Sequence, residues 1–425
     1  MKHILLKCAL MGAAVILGSI GVQAAWTYNS EAGTLSDGNY SFPVKVVSLA
    51  DPASATGEKI SGLEISGDAT EGSGDLDFTS VETDTGYKVI SIVYWDHAKI
   101  LKNITDCTKF IAPDLMQLGR ASFQGYTALT EIVVSDKLTE IPYYCLNGTT
   151  GLTKITPSTF PYVTKVGQGA IGSSAIETIG FPNVTTIERE AFRSSKVTGD
   201  LSFPELTSAG KFSFRNTKIT SFSAPKLTQV TEYLLQGNPE LTTVVVGDLC
   251  WSNFVGGCYA NCPKLESITP KPVLTKAGPV NPFDGNNTAY FAKYPLVFMG
   301  DNITSIPGSF MKYCSALKYI EFHCDKLTTI GTWAFQSIAD GAEILWDGAA
   351  PTTLDSAFAG NTGNRKKIIL KGGKGIDDWK ALSYYKEVSD TDKKRDDYPG
   401  KKAIGVINGN VWLIDGRQGL CIRIQ

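Results

Sequence analysis

The stretch Leu327-Thr328-Thr329-Ile330-Gly331-Thr332-Trp333-Ala334-Phe335 contains two short phrases that recur along the chain. The first phrase is apolar-x-x-apolar, and the second is a small residue followed by an apolar one. A third phrase, again apolar-x-x-apolar, follows them, as in Leu241-Thr242-Thr243-Val244. Other copies of the first phrase begin at Leu138, Val184, Leu227 and Ile303. The period of roughly 22 residues is typical of a solenoid, whose units must stack to bury an apolar core.

The residue three places before the third phrase is expected to point inward where the backbone turns. It must then be small or form a hydrogen bond to the turn, and Asn, Ser, Thr and Cys meet that need. The residues at this position are Cys107, Tyr126, Thr149, Ser173, Ser194, Asn216, Asn238, Cys262 and Cys314. Tyr126 is the exception.

With this Asn/Cys position and the Gly-x-x-Ala-Phe phrase, residues 89–370 resemble the BspA-like, or treponema-type, leucine-rich repeats of bacterial surface proteins. The resemblance implies a leucine-rich-repeat solenoid: a right-handed, β-rich superhelix with short parallel strands on its concave face and few short helices. It also implies adhesion to host or neighbouring-cell proteins. Because the family is defined by its scaffold and not by a reacting site, it predicts fold more closely than function.

Composition and motifs narrow the function. The chain has 425 residues, is 43% hydrophobic and carries a net charge of -2, which gives no electrostatic case for nucleic-acid binding. It has no nucleophile elbow, His-Glu-x-x-His or phosphate-loop motif. We therefore expect a protein that is not an enzyme, has no catalytic residues and needs no cofactor.

Residues 1–24 have the pattern of a signal peptide. Lys2, His3 and Lys7 form a charged start, residues 8–20 are mostly apolar, and Val22-Gln23-Ala24 is a small-x-small cleavage sequence. The apolar run is too short to span a bilayer. We predict cleavage after Ala24 and an exported, monomeric mature chain without a membrane span. It is expected at the cell surface, associated with the outer membrane, or in the periplasm.

Export permits disulfides among the eight cysteines of the mature chain. Cys107, Cys262 and Cys314 occupy the inward position, however, where a free thiol packs like a small apolar group. If one bridge exists, we expect it between Cys250 and Cys258. The mature chain has two histidines and no Cys-x-x-Cys, so no metal site is predicted.

The segments that flank the repeats are predicted to cap them. Residues 25–85 are expected to form an N-terminal β-rich cap, with a strand near residues 41–47. Within the cap, residues 67–77 are rich in Gly and Asp. They form either a calcium-binding loop or a solvated loop, and the second is favoured because the spacing matches no defined calcium loop.

At the other end, residues 371–398 are predicted to form a C-terminal capping helix and a charged linker. Trp379, Leu382 and Tyr385 lie on one side of that helix. Residues 399–425 read as a short β-ribbon tail joined by Asn-Gly and Asp-Gly turns. The tail faintly resembles the sorting tails used for surface attachment.

An enlarged repeat spans about residues 270–302, with a strand expected at Leu296–Met299. Insertions in a solenoid project from one face and often carry function. Its candidate aromatic anchors for a partner are Phe283, Tyr290, Phe291 and Tyr294. The alternative is that these rings pack under their own loop.

Outward residues of the stacked strands are expected to form the ligand face. The candidates are Glu131, Lys154, Thr178, Ser202, Ser221, Ser223, Thr243, Ser267, Tyr319 and Glu321. The central repeats are rich in Ser and Thr and nearly uncharged, which suits hydrogen bonding to a protein loop better than steering of a charged ligand. Two hypotheses follow: an adhesion or protein-binding surface protein, and a structural envelope protein without an external ligand. A glycan-binding protein is a remote alternative.

Overall fold

The computed structural model describes residues 25–69, 72–92, 106–155, 162–248, 256–276, 283, 289–339, 341–354, 356–358, 366–370, 376–383, 385–386, 403–407 and 411–415. They form a β-solenoid of about 11 turns with parallel strands and few short helices. The fold predicted from the repeat period is therefore confirmed. The proposed signal peptide, residues 1–24, lies outside the described residues.

Two rows of parallel strands run along the solenoid. The long-strand row contains Leu76–Asp77, Lys109–Ala112, Glu131–Val134, Thr198–Ser202, Lys218–Ala224, Thr243–Val246, Ser267–Thr269, Val273–Leu274, Leu296–Met299, Tyr319–His323, Glu343–Trp346 and Lys366–Leu370. The short-strand row contains Val89–Ile92, Gln117–Leu118, Glu140–Ile141, Lys165–Val166, Thr186–Ile187, Ser208–Ala209, Ser305–Ile306 and Thr329–Ile330. Neighbouring strands pair in register, as Ser221 does with Thr243 and Thr243 with Ser267.

The apolar phrases of the sequence supply the core. Ile187 in the short-strand row and Phe222 in the long-strand row are buried, while the residues on either side of Phe222 point outward. Period-2 alternation in each strand therefore gives one buried and one solvent-facing set of side chains. Because each turn buries its apolar side chains against the turns before and after it, the core is continuous from Trp26 to Trp379.

A ladder of threonine hydroxyls joins successive turns beside the strands. Thr207 Oγ1 donates to the carbonyl of Thr185 at 3.2 Å, and Thr185 Oγ1 donates to Thr164 at 3.2 Å. Thr328 and Thr352 continue the same pattern. This explains why Thr so often follows the first apolar residue of a phrase: the hydroxyl satisfies a carbonyl of the preceding turn.

Each turn that follows a short strand places two residues in the left-handed region, four residues apart. The pairs include Tyr144 and Gly148, with φ of 51° and 71°, and Phe212 and Asn216, with φ of 61° and 56°. The two reversals fold the chain tightly around one buried apolar residue, such as Phe214. We call these two positions the first and second left-handed positions.

The inward polar position is occupied differently from the sequence-based prediction in three repeats. Thr149 and Asn238 are buried as predicted, but Ser174, Ser195 and Thr217 take the place expected for Ser173, Ser194 and Asn216. Each of the three hydroxyls donates to the carbonyl three residues earlier, at 2.7–3.3 Å. Ser173, Ser194 and Asn216 are instead exposed at the second left-handed position. The shift arises because the link to the next strand is one residue shorter in these repeats.

The N-terminal strands extend the short-strand row. Thr27–Asn29, Thr34–Ser36, Ser41–Ala50 and Lys59–Ile65 pair antiparallel in sequence, and Lys59–Ile65 then pairs in parallel with Val89–Ile92. A short helix spans Val81–Thr85. In the Gly- and Asp-rich segment, Asp75 Oδ1 accepts bonds from the amides of Thr108 and Lys109. The preference for a solvated loop over a calcium-binding loop stays a prediction.

The enlarged repeat bridges two parts of the long-strand row. Ser267–Thr269 pairs with the preceding turn, and Val273–Leu274 pairs with Leu296–Met299 of the next one. A short helix spans Tyr290–Lys293. The strand predicted at Leu296–Met299 is confirmed.

The C-terminal segments pack on the last turns. The helix Ile376–Lys380 places Trp379 edge-on against Trp346, with ring centroids 5.1 Å apart. Tyr385–Lys386 and the hairpin Ala403–Ile407 and Val411–Asp415 follow, and Val411–Asp415 pairs in parallel with Lys366–Leu370. The hairpin thus extends the long-strand row, and the capping role of both chain ends stays a prediction.

The cysteines that the structure describes are buried. Cys107, Cys145, Cys262 and Cys324 are free thiols, and burial raises the pKa of Cys262 to about 12. Cys258 is buried, whereas Cys250 lies outside the described residues, so the bridge between them stays a prediction.

Candidate functional site

The solvent side of the long-strand row, which we call the strand face, holds the predicted ligand residues. The predicted members are Glu131, Lys154, Thr178, Ser202, Ser221, Ser223, Thr243, Ser267, Tyr319 and Glu321, and all are exposed or half-buried. Parallel pairing brings Ser202 next to Ser223 and Lys154 next to Thr178. The predicted residues therefore form ladders that run from turn to turn along the solenoid.

Apolar side chains lie in the same ladders. Val133, Val245 and Val297 are half-buried at outward positions of their strands, and Val245 lies between Ser223 and Thr269 by register. The face is therefore a mixture of hydroxyls and small apolar groups.

Charges near the strand face are balanced between neighbouring turns. Lys109 Nζ lies 3.1 Å from Glu131, and Lys293 Nζ lies 2.6 Å from Glu266. Hydrogen bonds from Thr220 and Ser221 stabilise the ionised carboxyl of Asp200 and lower its pKa. Since these ions neutralise one another or bind hydroxyls, the face offers hydrogen bonding more than a long-range field.

His323 lies at one end of the strand face. Its Nε2 is 3.1 Å from Glu321 Oε2, and its Nδ1 is 3.4 Å from Asp347 Oδ2. The neighbouring Cys324 is buried on the other side of the strand. The adjacent histidine and cysteine therefore do not form a nucleophilic pair.

The predicted aromatic anchors are placed mostly in the core. Phe283, Tyr290 and Phe291 are fully buried, and the rings of Phe283 and Phe291 meet edge to face at 4.7 Å. They belong to the continuous core, where the Phe283 ring also lies 5.5 Å from that of Tyr259. Only Tyr294 is half-exposed, with Lys271 Nζ 4.8 Å from its ring centre. Three of the four proposed anchors are therefore structural.

A second set of surface residues was missed from the sequence. At the first and second left-handed positions the chain carries several bulky side chains, among them Tyr144, Phe212, Tyr233, Tyr313 and Trp333. Phe212 and Tyr233 stack at 5.0 Å across neighbouring turns. No pattern in the sequence distinguishes these rings from core aromatics, because the residues next to them are the buried ones.

The described residues hold no group of three or more His, Cys, Asp or Glu side chains placed to bind a metal ion. None of the helices formed by these residues has the length and apolar character needed to cross a membrane.

Comparison with known proteins identifies the repeats. A family model described as BspA type leucine rich repeat region (6 copies) matches residues 77–198, 185–281 and 285–378, which together make up more than half of the chain. The comparison with curated proteins gave no match.

Three solved structures are similar at low identity. A leucine-rich repeat protein from Bacteroides ovatus ATCC 8483 is 15% identical, with 79% of this chain and 95% of that chain covered and a TM-score of 0.36. A leucine rich cell surface protein from Faecalibacterium prausnitzii A2-165 is 16% identical, with coverage of 80% and 89% and a TM-score of 0.35. The pneumococcal vaccine antigen PcpA is 10% identical, with coverage of 83% and 97% and a TM-score of 0.37. The assignment rests on the repeat match and on the two rows of strands: the chain belongs to the BspA type leucine-rich repeat family.

Proposed function

We propose that this protein is an exported surface protein that binds a protein partner through the strand face and catalyses no reaction. The observation that carries the proposal is the in-register stacking of outward Ser and Thr residues across successive turns. A regular array of hydroxyls and small apolar groups presents many hydrogen-bonding groups on a rigid support. Such a surface matches a protein loop or an extended segment laid along it.

Rigidity favours binding. Residues such as Ser221, Thr243 and Ser267 project from paired strands whose inward neighbours are buried. Because the backbone of these residues is already ordered, a partner would lose little free energy in ordering the face. Loops would need to be ordered first.

The strand face is also poorly suited to chemistry. Catalysis by general acid or base needs a titratable group poised beside a reacting atom. Glu131, Glu266 and Asp200 are engaged with lysines or hydroxyls of a neighbouring turn, and Glu321 lies beside His323 of its own strand. A binding role needs no such group, so we assign the protein to recognition.

Export is supported by the signal-peptide pattern of residues 1–24. The mature chain, residues 25–425, is then expected outside the cytoplasm, where a surface adhesion protein acts. Protease shaving of intact cells, with fragments identified by mass spectrometry, tests this placement: fragments of residues 25–425 are expected only if the chain faces outward.

Two triple variants test the strand face. Ser202→Arg, Ser223→Arg and Thr243→Arg place three guanidinium groups on the strand face. The control triple, Ser208→Arg, Thr228→Arg and Gln229→Arg, places three on exposed positions beside the short-strand row, in the same part of the array. Purified residues 25–425, native or variant, are incubated with biotin-labelled surface proteins of neighbouring bacteria or host cells.

A partner retained by the native chain and by the control triple, but lost with the strand-face triple, supports the proposal. Equal retention by all three chains would contradict it. Retention of no partner by the native chain would favour the alternative of a structural envelope protein.

A further inference from the structure

A small cluster on the turns of the solenoid, away from the strand face, has the features of a binding site. It consists of Lys312, Tyr313 and Trp333. Lys312 Nζ lies 4.8 Å from the centre of the Tyr313 ring and 4.5 Å from that of Trp333. Tyr313 and Trp333 are 63% and 45% exposed, which makes them two of the most exposed large side chains that the structure describes.

The backbone at both rings is unfavourable for such side chains. Tyr313 and Trp333 have φ of 65° and 61°, in the left-handed region that costs a bulky L-residue free energy. At the second left-handed position, other described repeats carry small residues: Gly125, Gly148, Ser173, Ser194, Asn216, Gly237, Asn261 and Ser337. The repeat therefore does not need a ring at Tyr313. The chain holds one there at a cost in stability and leaves it in water.

Stacking on a neighbouring ring does not account for these two side chains. Phe212, at the first left-handed position of an earlier turn, stacks on Tyr233 at 5.0 Å and is half-buried. Neither Tyr313 nor Trp333 pairs with another ring in the part of the chain that the structure describes. Their exposed faces are available to a ligand.

The charge of Lys312 is also available. Arg193 occupies the equivalent place in an earlier turn, and its guanidinium is paired with Glu190 at 3.2 Å. Among the described residues, no carboxylate lies within ion-pair distance of Lys312. An ammonium between two rings is held by cation–π attraction and can still bind an anion on its open side.

From this arrangement we propose that Lys312, Tyr313 and Trp333 bind an acidic saccharide. One ring stacks on the apolar C–H face of a sugar, the tyrosine hydroxyl or indole N–H serves as a hydrogen-bonding handle, and Lys312 binds the sugar carboxylate. Size favours a saccharide over a protein, since three side chains are far fewer than the roughly 20–30 residues per partner of a stable protein interface. The site is separate from the strand face, so either proposal can fail without the other.

Titration calorimetry on residues 25–425 tests the proposal with two acidic probes, trigalacturonic acid and 3′-sialyllactose. Their uncharged counterparts are methyl-esterified trigalacturonic acid and lactose. At least one acidic probe is expected to bind about tenfold more tightly than its counterpart, because a charge-assisted hydrogen bond supplies that difference. Binding of trigalacturonic acid would indicate a uronic acid as the ligand, and binding of 3′-sialyllactose would indicate a sialic acid.

Variants assign the binding to this cluster. Lys312→Met should abolish the preference for the acidic probe, and Lys264→Met, which removes an equal charge at a lysine paired with Glu240, should leave it unchanged. Trp333→Ala and Tyr313→Gly should each weaken binding several-fold. Tyr313→Gly should not lower the melting temperature, since glycine adopts φ of 65° without strain.

Three results would overturn the proposal. The first is equal binding of acidic and uncharged probes, or binding of neither acidic probe. The second is Tyr313→Gly with a lowered melting temperature and unchanged saccharide affinity, which makes the ring structural. The third is that a hexaglutamate peptide binds more tightly than either acidic saccharide and that Lys312→Met abolishes this binding. That result would assign the site to acidic peptides.

Discussion

Replacing Asn238 with Leu tests the inward polar position directly. The Asn238 side chain is fully buried, and its Nδ2 donates to the carbonyls of Phe214 at 2.9 Å and Leu235 at 2.7 Å. Its Oδ1 accepts a bond from Thr217 Oγ1 of the preceding turn. Asn238 therefore makes three hydrogen bonds that leucine cannot form, and two of them link its turn to the preceding one.

The magnitude follows from these bonds. A typical hydrogen bond contributes about 1 kcal/mol net, and a buried group left without a partner costs about 1–3 kcal/mol. Thr217 keeps a weaker bond to Phe214, so its hydroxyl is not fully orphaned. We expect Asn238→Leu to lower the free energy of unfolding by about 2–4 kcal/mol.

Two variants calibrate the result. Asn238→Thr restores the residue type found at Thr149 and Thr217, whose hydroxyls bond to the carbonyl three residues earlier, and should recover about half of the loss. Asn216→Ser alters an exposed side chain at the second left-handed position and should change the free energy by less than about 0.5 kcal/mol.

Urea unfolding followed by circular dichroism measures the free energy of unfolding of all three variants. Equal dependence of that free energy on urea concentration shows that the variants unfold in the same transition. Destabilisation by Asn216→Ser equal to that by Asn238→Leu, or no effect of either, would refute the assignment of the inward position.

Three further predictions concern packing and titration. Gly210→Ala should destabilise by at least about 2 kcal/mol in the same urea assay, because a Cβ there would collide with the backbone of Glu188 and Arg189 in the preceding turn. Trp379→Ala should cost about 3–5 kcal/mol, since the ring is fully buried against Trp346; a melt unchanged by the substitution would argue against docking of the C-terminal helix. Burial raises the pKa of Cys107 to about 11 and of Cys262 to about 12, above the ordinary 9.0. The folded state therefore keeps thiol protons that the unfolded state releases, so stability is intact below pH 9 and falls as the pH rises from 9 through 12, with Cys262→Ala flattening that fall. At pH 8 these thiols should react with Ellman's reagent only after denaturation, and rapid reaction of the native protein would contradict their burial.

The sequence predicted the parts of this fold that depend on period. Apolar residues recurring about every 22 positions predict stacked turns, because no single turn can bury them. The strand at Leu296–Met299 was predictable for the same reason, although an insertion precedes it. Both predictions rest on hydrophobic alternation, which a single chain displays directly.

The parts that the sequence did not predict depend on backbone conformation. Counting back from the third phrase gave Ser173, Ser194 and Asn216 instead of Ser174, Ser195 and Thr217, because the link to the strand shortens by one residue in those repeats. Neighbouring Ser or polar residues satisfy the pattern equally well, and only the left-handed φ decides which points outward. Burial of Phe283, Tyr290 and Phe291 was likewise not predictable, since an aromatic-rich insertion can fill a core or face solvent.

The sequential stacking of turns has a mechanical consequence for a chain held at one end. Successive turns are 22 residues apart along the chain at Thr185 and Thr207, yet neighbouring paired strands are only about 4.8 Å apart. Pulling one turn from the end of the stack would release about 75 Å of extended chain, at about 3.4 Å per residue. Under tension the solenoid would therefore lengthen in steps of about 70 Å. The remaining turns would stay folded, so a partner bound in the middle would stay attached while the end of the array absorbs the load.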